Sequence, residues 1–86
     1  MSRRVLVVDD ERNIRAMLEQ MLLLADYDVH CVESGEEALE STSNDDYELV
    51  LLDVRMAGID GINTLKRLRE ASPSTSVALG LTANTS

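Results

Sequence analysis

Asp9 and Asp10, Asp53 and Thr82 each follow directly on a short apolar run: "VLVV", "LVLL" and "VALGL". If those runs are strands of one sheet, three carboxylates and a hydroxyl converge at neighbouring strand ends. Carboxylates brought that close repel one another unless a cation lies between them. Oxygen-only ligands suit a hard ion such as Mg²⁺, which keeps several waters and takes one or two carboxylates. A carboxylate beside such an ion can act as a nucleophile toward a phosphoryl group, giving an aspartyl phosphate. Any one of these acids alone is explained as simply by a helix cap or a solvated loop end. The joint pattern, with every one of these acids at a matching strand end, is what points to chemistry.

The elements that would position these residues alternate along the chain. Val5 to Val8 is a continuous apolar run, the pattern of a strand covered on both faces. Residues 12–26 then place Ile14, Met17, Leu18, Met21, Leu22 and Ala25 on one stripe of a helix, with both methionines as core filling. Val29 to Val32 reads as a second strand. Ser34 and Glu37 form a capping box ahead of Ala38 and Leu39, and Asn44-Asp45-Asp46 ends that helix. Leu49 to Leu52 is a third strand, ending at Asp53. Asp60 is expected to cap a third helix, with Ile62, Leu65 and Leu68 inward and Lys66, Arg67 and Arg69 outward. Ser72-Pro73-Ser74 stops it, and Val77 to Leu81 is a fourth strand. Strands separated by helices imply parallel pairing through right-handed crossovers, hence an open α/β sheet. In such sheets ligands bind at the carboxyl ends of the strands.

Composition limits the alternatives. The 86 residues suffice for one small domain, and an apolar content of 44% is that of a globular chain. The only aromatics are Tyr27 and Tyr47, expected at core edges, so the core is aliphatic. A net charge of −8 argues against direct nucleic-acid binding and against an anionic membrane surface. The single cysteine, Cys31, excludes an intrachain disulfide framework and fits a reducing compartment. His30 beside it cannot chelate with it, because adjacent strand residues face opposite ways; a buried thiol and a surface imidazole are expected. Met-Ser-Arg-Arg leads into only four apolar residues, which is no signal peptide, and no run approaches a membrane span. A cytoplasmic protein is the expectation.

In the stretches "VLVVDDERNIRAML", "LVLLDVRMAGIDGINTLKRLR" and "VALGLTA", the sequence resembles the receiver domains of two-component response regulators. The resemblance covers nearly the whole chain. It implies a flavodoxin-like, doubly wound parallel sheet of order 2-1-3-4. It further implies Asp53 as the phosphoacceptor, Asp10 as a direct Mg²⁺ ligand and Asp9 as one acting through water. The backbone carbonyl of Arg55 would complete the ligands, and Thr82 would be the switch hydroxyl. The implied phosphoryl donor is a sensor histidine kinase, and the implied role is that of a phosphoacceptor in signalling, not a dedicated enzyme.

There are departures from the family pattern. Ala57 stands where members commonly have proline, while Gly58 and Gly61 keep the turn. Members continue past the Thr-Ala with a helix, a fifth strand bearing a lysine, and a final helix. Lys66, the only lysine here, belongs to the third helix. Residues 1–86 therefore read as a single receiver domain incomplete at its C-terminus, with slowed phosphorylation for want of that lysine. The two-sided apolar runs then imply self-association, through the edge of the fourth strand or the uncovered sheet face. The alternatives are a receiver-like scaffold without phosphotransfer, or a piece of a longer response regulator.

Overall fold

A computed structural model of the protein describes residues 3–53 and 59–80. The order is β1 (Arg4–Val8), α1 (Arg12–Leu24), β2 (Asp28–Val32), α2 (Gly35–Asn44), β3 (Leu49–Asp53), α3 (Ile59–Ala71) and β4 (Ser76–Gly80). The four strands form one parallel sheet in the order β2-β1-β3-β4. This is the shortened flavodoxin-like arrangement expected from the sequence. Strand β1 lies at its centre between β2 and β3, which is why its four apolar residues are fully buried.

Side-chain alternation along the strands divides the sheet into two faces. Leu6, Val8, Val32, Val50 and Leu52 point toward α2 and α3, where they meet Ala38, Tyr47 and Leu68 in a closed aliphatic core. Val5 and Val7 point the other way and are also buried, but Leu49, Leu51 and Ala78 on that second face are only half-buried. Helix α1 packs on the second face, against β2 and β1.

The helix ends follow from local chemistry. The Ser34 hydroxyl accepts the Glu37 amide at 3.2 Å, and the Glu37 carboxylate accepts the Glu33 amide at 3.1 Å. The expected capping box is therefore present, reaching one residue further back than its simplest form. Helix α1 closes in a Schellman turn: the Tyr27 amide donates to the Leu22 carbonyl and the Asp26 amide to that of Leu23, both at 3.0 Å. Asp26 takes the left-handed conformation that this turn demands, at φ 71°.

Several expectations need correction. Helix α1 has no buried residue: its stripe splits into half-buried Ile14, Leu18 and Leu22, and an outer row with Met17 51% and Met21 57% exposed. The methionines are thus not core filling, because only one flank of α1 touches the sheet. Ile62, expected inward, is exposed, whereas Leu65 and Leu68 pack as expected. Helix α3 begins at Ile59, so Asp60 lies in its first turn and not ahead of it. Cys31 is half-buried rather than buried, and His30 is exposed as expected. Tyr47 is buried, while Tyr27 is half-buried with the Arg3 guanidinium 4.5 Å above its ring centre.

Candidate functional site: an acidic cluster at the strand ends

Asp9 follows the last residue of β1 and Asp53 is the last residue of β3, so parallel pairing of these strands brings the two together. Asp10 adds a third carboxylate from the turn into α1. One carboxylate oxygen from each of Asp9, Asp10 and Asp53 lies within 4.8 Å of the others. Asp9 is 2% exposed and Asp53 6%, whereas Asp10 is exposed. Two acids are thus held inside the rim and one faces solvent.

The turn that carries these acids is tied down at Asp9. Its amide donates to the Val32 carbonyl at 3.2 Å, continuing the β1–β2 ladder one step beyond the strand. Its carboxylate Oδ1 accepts the Glu11 amide at 2.9 Å, closing an Asx turn around Asp10. Its carbonyl accepts from Arg15 Nη1 at 2.8 Å. Arg15 is the site contact that the sequence did not single out. The signal was an arginine on the apolar stripe of α1, three residues before Leu18 and seven before Leu22.

Electrostatics bear on the same residue. Burial pushes the Asp9 carboxyl above the usual aspartate range, and the charges of Asp53, Asp10 and Glu11 push the same way. The Glu11 amide, second in weight to burial, opposes them. A buried carboxylate crowded by two others, in a cluster whose ligand atoms are all carboxylate oxygens, is the arrangement a small hard dication relieves. The residues therefore fit Mg²⁺. Thr82 and Arg55, the other two expected site residues, lie outside the described residues, as do Ala57 and Gly58. The main chain of β4 runs beside the site, since Gly80 is the register partner of Asp53. Lys66 is exposed on α3.

A family model described as the response regulator receiver domain matches residues 5–86. Among curated relatives, the chain is 40% identical over 76 residues to the regulatory protein AtoC of Escherichia coli, covering 88% of this chain and 16% of that protein. It is 40% identical over 70 residues to the alkaline phosphatase synthesis transcriptional regulatory protein PhoP of Bacillus subtilis, covering 81% of this chain and 29% of that one. The chain thus spans less than a third of either relative's length. Among solved structures, the response regulator TrrA of Thermotoga maritima in complex with Mg²⁺-BeF superposes with a TM-score of 0.83 at 39% identity, over 90% of this chain and 67% of that one. TrrA in complex with the histidine kinase ThkA gives a TM-score of 0.84 at 36% identity, over 98% and 74%. Sequence, strand order and acidic rim agree, and the chain belongs to the response regulator receiver domain family.

Proposed function

We propose that residues 1–86 form one receiver unit in which Asp53 accepts a phosphoryl group from a sensor histidine kinase. The observation that carries this reading is the meeting of Asp9, Asp10 and Asp53 at adjacent strand ends, with Asp53 nearly enclosed at the end of β3. In the step itself, an Asp53 carboxylate oxygen forms a bond to phosphorus. The bond from phosphorus to the donor breaks, its electron pair returning to the donor group. Asp10 and Asp53 would hold Mg²⁺ directly, with Asp9 acting through water and the Arg55 carbonyl completing the protein ligands. When bound, the ion supplies charge compensation for the carboxylates and for the incoming phosphoryl oxygens. Thr82 would serve as the hydroxyl that answers the new phosphoryl group. The TrrA complexes, one with Mg²⁺-BeF and one with a histidine kinase, support this reading by likeness. Its place of action would be the cytoplasm; among the described residues no helix is long and apolar enough to cross a membrane.

Intact-mass measurement after incubation with a small-molecule phosphodonor and Mg²⁺ tests the proposal. The expected result is a gain of one phosphoryl group that disappears in Asp53→Asn and on chelation of the metal. No gain, or a gain that survives Asp53→Asn, overturns it.

A second reading is favoured by the outer row of α1, where Leu24 is 88% exposed beside Met17, Met21 and Leu23. These side chains and the half-buried Leu49 and Leu51 form the surface through which the chain would self-associate, together with the outer edge of β4, the last strand among the described residues. Sedimentation at micromolar concentration decides: a monomer throughout removes this reading.

A further inference from the structure

We propose that Arg15 is a positioning residue for the carboxylate site, acting through the main chain of Asp9 to hold the turn that presents Asp10. Asp10 sits between two fixed neighbours. Before it, Asp9 is bonded at its amide to Val32 (3.2 Å) and at its carbonyl to the Arg15 guanidinium (2.8 Å). After it, the Glu11 amide is bonded to the Asp9 carboxylate (2.9 Å).

Of these bonds, the one from Arg15 is the only one made by a charged donor, and such bonds are the stronger kind. It also reaches back from within α1 to a residue three positions ahead of that helix. Glu11, the capping residue just ahead of α1, makes no side-chain capping bond, so the usual anchor for a helix start is not what fixes this turn. Arg15 is itself held in place. Its amide donates to the Glu11 carbonyl at 3.1 Å, its carbonyl receives the Cys31 thiol of β2 at 3.9 Å, and it is half-buried. A line of contacts thus runs from β2 through α1 to the acidic rim.

The contact is with a carbonyl oxygen, so its effect is geometric. Losing it frees the Asp9–Asp10 peptide to rotate and spreads Asp10 away from Asp9 and Asp53. Residues that orient ligands in this indirect way commonly change metal affinity by about ten- to a hundredfold when removed.

The inference rests on reading the cluster as a Mg²⁺ site, and two measurements on the whole chain keep the two ideas separable. The first is Mg²⁺ affinity by calorimetry for the unaltered chain, Arg15→Met and Arg15→Lys. The second is hydrogen exchange at the Glu11 amide in metal-free protein. Arg15→Met is expected to weaken Mg²⁺ binding about tenfold and to speed Glu11 exchange, with Arg15→Lys restoring part of both. Affinity within about twofold of the unaltered chain overturns the proposal. So does unchanged Glu11 exchange. If Arg15→Met does not fold, Arg15→Gln, too short to keep the bond to the Asp9 carbonyl, takes its place under the same two criteria. If the unaltered chain takes up no Mg²⁺, the metal reading falls, and Glu11 exchange still tests whether Arg15 holds the turn.

Discussion

The two faces of the sheet are built from the same four strands but are closed to different degrees. Toward α2 and α3, Leu6, Val8, Val50 and Leu52 are sealed under Ala38, Tyr47 and Leu68. Toward α1, Val5 and Val7 are fully covered but Leu49, Leu51 and Ala78 only half so, and the covering helix buries none of its own residues fully. Alternation also aligns Asp53 with the row of Leu49 and Leu51, and Asp9 with that of Val5 and Val7. The candidate chemistry therefore sits at the end of the loosely covered face, braced from behind by the sealed one. Such a division places rigidity where the sheet is held and freedom where contacts can change.

The sharpest test of that division uses neighbours on one strand. Leu52→Ala empties the sealed core and should cost about 3–4 kcal/mol, against about 1–2 kcal/mol for Leu51→Ala on the other face. For a domain whose whole stability is on the order of 5–10 kcal/mol, the first change removes roughly a third to four-fifths of it. Denaturant titration of both variants measures the gap. Equal losses would mean that the α1 face is closed in solution by a second copy, joining this test to the self-association reading.

The acidic rim supplies the next largest effect. At free Mg²⁺ about a hundredfold above its dissociation constant, the chain should gain about 2.7 kcal/mol, lost on chelation and absent in Asp10→Ala. Protons act the opposite way. The Asp9 carboxyl is held above its ordinary range, so folding favours its protonated form. In metal-free chain its contribution is fully present below the ordinary aspartate range and is lost as pH rises through the raised value. Asp9→Asn should therefore stabilise the metal-free chain at neutral pH and flatten that slope, while Mg²⁺ stabilisation should fade on acidification. A pH series of thermal midpoints, with and without Mg²⁺, separates these trends; a metal-free midpoint indifferent to Asp9→Asn would show that the crowding carries no penalty.

Within the sealed face, the α2–α3 crossing can be probed at one atom. A Cβ at Gly35 would meet the Thr64 side chain, and Thr64 is itself buried. Gly35→Ala should cost about 1–2 kcal/mol despite the better helix propensity of alanine, and Thr64→Ala should relieve much of it in the double variant. Additive losses would place the strain elsewhere.

These contrasts show what could be read from residue order and what could not. The strands and helices were legible because continuous apolar runs and 3.6-residue stripes are direct consequences of two-sided and one-sided burial. Asp9, Asp10 and Asp53 were legible as a group because strand ends on a parallel sheet share one rim. The fate of Met17, Met21 and Ile62 was not, since periodicity tells which flank of a helix is apolar and not how much of that flank is covered. Arg15 was missed for a different reason: its partner is a main-chain carbonyl, which every residue offers alike. Gly35 and Thr64 lie far apart in sequence, and their approach exists only once α2 and α3 are packed.

The smallest expected effect lies at the far end of α1, on the loosely covered face. Asp26 is the residue whose left-handed conformation closes the helix, at φ 71° with its amide bonded to the Leu23 carbonyl at 3.0 Å. Aspartate tolerates that conformation better than most side chains but less well than glycine. Asp26→Gly removes the strain and loosens the unfolded chain, so the net gain should be about 0.5 kcal/mol, whereas Asp26→Val should lose about 1 kcal/mol or more. Denaturation midpoints read both. The contrast matters because α1 is held by few enclosed side chains: where packing is thin, the turn that ends a helix carries a larger share of what keeps it in place. A valine that proves harmless would mean that the α1 face is tied down by contacts beyond those of α1 with β1 and β2.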